Sequence, residues 1–373
     1  MAFGCASSLL SQTDNGGLQM SVAGDFQGEF GLQPTSAPDR YEPREAEFQF
    51  FAPVDHLFDA SLSFAAHQEK GVYLTELHEA FIGSTKMIPR SRFKLGKFFL
   101  GIGKLNQTHR HDWAFISPPK IHEEIFGEEA VGDNGGEFTT LIPLPFFLEA
   151  TLGVTNGWTF GHAHGLGTRP QTPTHYARVA TFKEIGTGGF QLAGNFLRRV
   201  DYEGTSMTLF GADLVLKLKK EGTTKFLLQG EYWRRSLTPK AKPADDDTGE
   251  TINPKSEITQ GFYLFPDFRI RKNATVGMRI DYVIPPDPEE EGAKVEAFWG
   301  VAPQISYSPS EFSRFRLGMN YRKKAAAHEH EGETETGGEE EAGEESEASK
   351  SEYDKSIEVQ VTFILGSHPA HDF

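Results

Sequence analysis

The sequence predicts an all-β chain: a transmembrane antiparallel β-barrel of about 16 strands, with about 14 or 18 as the alternative counts. Three observations carry that expectation. The first is strict alternation. Ile357, Val359, Val361, Phe363 and Leu365 alternate with Glu358, Gln360 and Thr362. Phe262, Leu264, Phe268 and Ile270 alternate with Tyr263, Asp267, Arg269 and Arg271. Ala274, Val276, Met278, Ile280 and Tyr282 alternate with Thr275, Gly277, Arg279 and Asp281, and Phe315, Leu317, Met319 and Tyr321 alternate with Arg314, Arg316, Asn320 and Arg322. Period-two patterning gives each strand one apolar face. The second observation is that the opposite face carries arginines and carboxylates. A soluble sandwich turns its apolar faces inward, whereas a membrane barrel turns them to lipid and keeps charge in a wet lumen. The third is that connections alternate between short and long, although two on the long side, 68–71 and 201–205, are themselves short.

Sixteen strand candidates lie near 18–31, 46–54, 57–67, 72–82, 92–103, 137–143, 146–155, 174–184, 189–200, 206–219, 225–236, 258–270, 275–284, 295–306, 314–323 and 355–366. Short turns are expected at 54–56, 84–91, 144–145, 186–188, 220–224, 271–274 and 308–313. Outer loops are expected at 104–136, 156–173, 237–257 and 324–354, with further long connections at 32–45 and 285–294. Residues 1–17 then form an N-terminal periplasmic segment, 18–366 a single barrel, and 367–373 a C-terminal tail. The alternation is least clear over 46–82, where Glu76, His78 and Glu79 interrupt it.

Composition agrees with a barrel. The 373 residues include 31 Phe and 39 Gly, as aromatic girdles and tight turns require. Mean hydropathy is −0.44, and no run of about 18 apolar residues suggests a spanning helix. A net charge of −16 argues against a nucleic-acid partner. One cysteine, Cys5, excludes an intramolecular disulfide and a Cys-based zinc site. It follows Met1-Ala2-Phe3-Gly4, a start that lacks the basic and apolar regions of a lipoprotein signal. The segment from Lys324 to Asp354 is nearly all Ala, Gly, Ser, Glu and His, the composition of a disordered acidic loop.

Histidines mark candidate metal contacts. His109 and His111 form an H-x-H pair followed by His122. His162 and His164 form a second pair followed by His175. His328 and His330 form a third. Imidazole and carboxylate suit Zn²⁺ and other borderline divalent metals. Alternate residues of an extended chain point oppositely, so such a pair binds one ion only where the backbone turns. No tetrahedral spacing is visible, so weak Zn²⁺ capture with no required cofactor is the expectation; ordinary polar loop histidines are the alternative. The expected pore lining is Arg269, Arg271, Arg279, Arg314, Arg316 and Arg322 facing Asp267, Asp281 and Glu358, with Asp213 and Glu231 nearby. Such charge arrays set ion selectivity; an ion-pair network that fills the interior is the competing reading. Loop 104–136, with Trp113 and Phe115, is long enough to fold into the barrel and narrow it.

The run from Gly101 to Trp113 includes Gly103, Asn106, His109 and His111. It is followed by Pro118-Pro119, Glu129-Ala130-Val131-Gly132 and Leu141-Ile142-Pro143-Leu144-Pro145. This resembles bacterial outer-membrane proteins labelled zinc-regulated TonB-dependent receptors, and Gly161-His162-Ala163-His164-Gly165 fits their His-rich part. The resemblance implies an outer-membrane barrel linked to metal homeostasis, with His109, His111, His162 and His164 as contacts. The strand pattern independently resembles 16-stranded porins, which implies passive diffusion. The expected function is therefore a non-enzymatic, porin-like channel in a Gram-negative outer membrane for passive diffusion of small ions or solutes, with zinc or other divalent metal uptake as a candidate link. Its partners would be lipid, lipopolysaccharide, small ions or solutes, and further copies of itself. A surface-binding or structural barrel is the second expectation. A barrel enzyme is the third, with His78 near Glu76 and Glu79 as its only mid-strand candidate and no serine beside it.

Overall fold

The computed structural model describes residues 17–32, 40–69, 72–127, 129–157, 170–241, 255–287, 296–323 and 353–366. Sixteen strands follow one another around a closed antiparallel barrel. They are β1 Gln19–Gly31, β2 Arg40–Pro53, β3 Asp59–Glu69, β4 Val72–Ser84, β5 Ser91–Phe99, β6 Gly132–Leu141, β7 Phe147–Thr155 and β8 Thr174–Ile185. The second half comprises β9 Gly188–Val200, β10 Ser206–Lys220, β11 Thr223–Thr238, β12 Glu257–Arg271, β13 Ala274–Ile284, β14 Phe298–Ser310, β15 Ser313–Lys323 and β16 Tyr353–Gly366. Each strand pairs with its sequence neighbours, and β1 closes the cylinder on β16 from Ser21↔Gly366 to Gly31↔Ser356. Closure removes the unpaired edges that an open sheet would expose.

Turn chemistry explains the tight end. Between β10 and β11, Glu221 and Gly222 both adopt positive φ, 53° and 74°. That is the requirement of a two-residue hairpin whose twist matches the strands. The opposite end carries the long connections.

The alternating residues divide as expected. Phe268, Ile270, Val276, Met278, Phe315, Leu317, Phe363 and Leu365 are exposed on the outside. Their neighbours Tyr263, Arg279, Asp281, Arg316, Glu358, Gln360 and Thr362 are buried inside. Exposed aromatics fall in two bands. Tyr41, Tyr73, Tyr202 and Tyr282 lie toward the long-loop end, and Phe268, Tyr307, Phe312, Phe315 and Phe363 toward the tight-turn end. An apolar belt between two aromatic girdles is the exterior of a transmembrane barrel.

Several boundaries differ from the sequence reading, among them β5, which ends at Phe99 rather than near 103, and β14, which spans Phe298–Ser310 rather than 295–306. β2 begins at Arg40 rather than near 46, and β6 at Gly132 rather than near 137. In β2 the cause is a β-bulge: Asp25 pairs with Glu45 and Phe26 with Pro43, so Arg44 is the extra residue. A second bulge pairs Ser63 with Glu79 and Phe64 with Leu77, leaving His78 extra. A bulge breaks alternation and brings two consecutive side chains to one face. Arg44 with Glu45, and His78 with Glu79, are accordingly all buried in the lumen.

If the exposed belt faces hydrocarbon, a charge placed there is costly. Leu317, 52% exposed midway along β15, provides the test. Leu317→Arg should destabilise the barrel by about 2–4 kcal/mol in a reversible denaturant titration from lipid vesicles. A change near zero, as at a water-exposed site, would contradict the assignment.

Candidate functional site: an inward loop and a buried histidine–carboxylate cluster

The described residues of the connection 100–131 between β5 and β6, 100–127 and 129–131, lie inside the barrel. Trp113, Phe115, Ile116, Ile121, Phe126 and Val131 are each at most 2% exposed. All but Ile116 belong to one apolar cluster with inward side chains of the wall, including Tyr176, Leu197, Leu209, Trp233, Tyr263 and Phe265. Phe115 packs edge-on against Tyr263 and Phe265 at 5.5 and 5.4 Å, and Phe126 against Trp233 at 4.9 Å. The loop contains two short 3₁₀ turns, Leu105–Gln107 and Arg110–Asp112, and a helix of about two turns, α1, Lys120–Phe126. Pro119 precedes α1, and Gly127 ends it with φ 90°, following the usual placement of Pro at the start and Gly past the end of a helix.

The motif residues hold the loop's base. The Asn106 amide donates to Leu100 O at 2.8 Å and Val131 O at 3.2 Å, and accepts from Val131 N at 2.6 Å. One fully buried side chain thereby joins both ends of the loop. Gly103 has φ 63° and donates to Asn195 Oδ1 at 2.9 Å. A Cβ at this position would stand 2.8 Å from the Trp233 ring and 2.9 Å from Glu231 Oε2. Only glycine suits both the dihedral and the space.

The wall charges bind the loop backbone. Arg316 donates to Trp113 O at 2.6 Å and Phe115 O at 3.1 Å. Arg44 donates to Ile116 O at 2.6 Å, Arg279 to Ser117 O, and Arg314 to His111 O. Glu231 accepts from the amides of Lys104 and Leu105 at 3.0 and 2.6 Å, Glu137 from Gly101 at 2.9 Å, and Asp281 from Lys120 at 3.2 Å. Glu358 accepts from the Ser117 hydroxyl at 3.3 Å. Arg279, Arg314, Arg316, Asp281 and Glu358 therefore lie on the inner wall, where each bonds to the loop. Arg269 is tied to the tight-turn end through Thr224 O at 2.9 Å and Lys272 O at 2.7 Å. Asp267 and Arg322 are half-buried on the inner face, and Arg271 is exposed at the rim.

A second grouping sits where the loop meets β2 and β4. The turn Arg110–Asp112 brings the His109 and His111 rings to a stacked 5.7 Å, and His78 stacks on His109 at 6.4 Å. Glu47, fully buried, stands opposite all three. Its Oε1 is 2.8 Å from His109 Nδ1 and 3.7 Å from His78 Nδ1, and its Oε2 is 3.2 Å from His111 Nδ1. Glu45 lies 3.6 Å from His111 Nδ1, Glu79 3.5 Å from His109 Nε2, Glu129 3.7 Å from His78 Nε2 and Asp112 3.5 Å from His111 Nε2. Potential ligand atoms of Glu47, His78 and His109 all lie within 4.8 Å of one another, as do those of Glu45, Glu47 and His111.

Of the histidines chosen from sequence, His109 and His111 come together as the H-x-H argument requires, because the backbone turns between them. His122 does not join them: its Nε2 pairs with Glu129 O at 3.1 Å, and its ring packs on Trp113 and Phe126. His175 is exposed on the outer face of β8, the opposite side from buried Tyr176, so it belongs to no lumen cluster. His162, His164, His328 and His330 lie outside the described residues. Sequence reasoning missed Glu45 and Glu47 and noticed His78 only as an enzyme candidate. The available signal was the broken alternation around those positions.

No family model matches the chain. An uncharacterized protein of Aquifex aeolicus strain VF5 is 23% identical over 365 residues, covering 88% of this chain and 69% of its own length. The fold is shared with bacterial outer-membrane porins. The anion-selective porin from Comamonas acidovorans superposes with a TM-score of 0.59 at 10% identity, covering 94% of this chain and 99% of its own. The outer membrane channel DcaP of Acinetobacter baumannii gives 0.58 at 9%, covering 94% and 96%. OmpT of Vibrio cholerae gives 0.57 at 9%, covering 93% and 97%. TonB-dependent transporters have roughly 22 strands around a plugged lumen, so the sixteen-strand wall does not fit the receptor label suggested by the motif.

The loop histidines should titrate far apart. Burial disfavours charge on His109, but Glu47 and Glu79 outweigh it and raise its pKa from 6.5 to about 10. Burial, with Arg110 adding repulsion, lowers His122 to about 4 despite its bond to Glu129 O. The His109 contribution to stability is then fully present below about 6.5 and lost as pH rises through about 10. His122 acts oppositely: acidification from about 6.5 to about 4 destabilises the fold, because the unfolded ring takes up its proton first. Histidine-selective NMR in chelator-treated micelles should show midpoints near these extremes. If every ring titrates near 6.5, the described burial and pairing are wrong.

Proposed function

We propose that the chain is a passive outer-membrane channel of the porin type for small ions or solutes. The observation that supports this most is the combination of a wide wall and an inward constriction. A barrel of about 16 strands encloses an aqueous lumen, and here loop 100–131 is clamped across it by wall arginines and carboxylates. The apolar belt and aromatic girdles support residence in a bacterial outer membrane. The porins among the structural neighbours favour association with further copies of the chain.

A second reading has its own support. The loop's apolar side chains pack to nearly complete burial against β8–β13, as a barrel that binds or supports other envelope components without conducting would require.

Planar-bilayer recording separates the two. The channel reading expects discrete single-channel steps from the purified wild type. It also expects conductance to rise severalfold when residues 106–127 are replaced by a short Gly-Ser link. A barrel that stays folded and silent in both forms overturns it and leaves the non-conducting reading.

A further inference from the structure

We infer that the lumen cluster centred on Glu47 is a binding site for a carboxylate-bridged pair of borderline divalent transition-metal cations of the Zn²⁺ class. The inference does not rest on conduction.

Four observations carry it. First, two three-residue ligand sets share one residue. Glu47, His78 and His109 form one, and Glu45, Glu47 and His111 form the other. The two oxygens of Glu47 face different sets, Oε1 toward His78 and His109 and Oε2 toward His111. A carboxylate so placed can hold one cation on each oxygen.

Second, the separations are compatible with ligands around shared ions. Ligand atoms about 2.0–2.1 Å from a tetrahedral metal stand roughly 3.3 Å apart. The contacts from Glu47 to the three Nδ1 atoms are 2.8, 3.2 and 3.7 Å, and Glu45 to His111 is 3.6 Å.

Third, the polar atoms are buried without hydrogen bonds. Glu47 is fully buried and Glu45, His78 and His111 nearly so. Both Glu45 oxygens, Glu47 Oε2, both His78 nitrogens and the Nδ1 atoms of His109 and His111 have no aligned hydrogen-bond partner. Buried polar groups in that state are costly. A bound ion satisfies several of them at once.

Fourth, charge is in excess. Carboxylates of Glu45, Glu47, Glu79, Glu129 and Asp112 converge on the three imidazoles, with Arg110 beside Glu129. Such a set must hold protons or cations to be stable when buried. Mixed imidazole and carboxylate ligation selects Zn²⁺, Co²⁺ or Ni²⁺ over Mg²⁺ and Ca²⁺, which take oxygen ligands. The local backbone is also built for the cluster. Glu45 and Glu47 point inward by alternation along β2, a bulge turns His78 inward on β4, and a 3₁₀ turn brings His109 and His111 onto one side.

The test uses the full chain folded in detergent, stripped with chelator, then dialysed against Zn²⁺ at neutral pH. Wild type should bind two ions per chain and release protons as imidazoles give way to metal. His78→Gln and His111→Gln should each retain one ion, and Glu47→Gln should weaken both positions at least about tenfold. His175→Gln, on the outer wall, should match wild type. Retained heat-modifiable migration confirms folding, and if Glu47→Gln fails to fold, the two histidine variants decide. Absence of saturable binding, a stoichiometry of one in wild type, or unchanged binding in both histidine variants overturns the inference.

Discussion

A loop can lie inside a barrel only if its peptide groups find partners there, because buried backbone N–H and C=O groups left unpaired are costly. That constraint organises this molecule. The inner wall supplies guanidiniums to the carbonyls of His111, Trp113, Phe115, Ile116 and Ser117. It supplies carboxylates to the amides of Gly101, Lys104, Leu105 and Lys120. Charge-assisted hydrogen bonds are the strong ones, and here they run from a rigid sheet to a segment with little regular structure of its own. The apolar side of the loop then packs on β8–β13, so one segment meets two chemically different walls.

The same constraint explains why the inner wall is not simply polar. Leu197, Leu209, Trp233, Tyr263 and Phe265 point inward and are at most 1% exposed. In an open aqueous pore such a surface would be unfavourable. It is stable because Phe115, Ile121 and Phe126 of the loop cover it. Opposite it, the histidine–carboxylate cluster occupies the corner where the loop crosses β2 and β4. The two β-bulges give that corner an extra inward side chain on each strand.

Much of the fold was legible because lipid imposes period-two patterning on every strand. The residues Ile357 to Leu365 or Ala274 to Tyr282 admit one sheet face and no other. The count of sixteen and the turn end followed from the same rule. What was not legible has a common physical cause. At Arg44-Glu45 and His78-Glu79 the bulges defeat alternation, so β2 looked too short and Glu45 was placed in a loop. Tyr263 was read as a polar-face residue, and its role as a packing partner of Phe115 required the loop's path. The pairing of His109 with His111 depended on a turn that spacing alone does not specify. The outward direction of His175 followed from strand parity once β8 was placed. Asn106 stood in the motif with no assigned role until both ends of the loop were seen to meet on its amide.

The central claim is that loop 100–131 is clamped inside the barrel, and cysteine cross-linking between loop and wall tests it most directly. Ser117 Oγ lies 3.3 Å from Glu358 Oε2. Ser117→Cys with Glu358→Cys, in a Cys5→Ser background, should cross-link with a short bis-maleimide in the folded barrel. If both thiols react with a monofunctional maleimide yet never cross-link, the loop does not occupy the lumen.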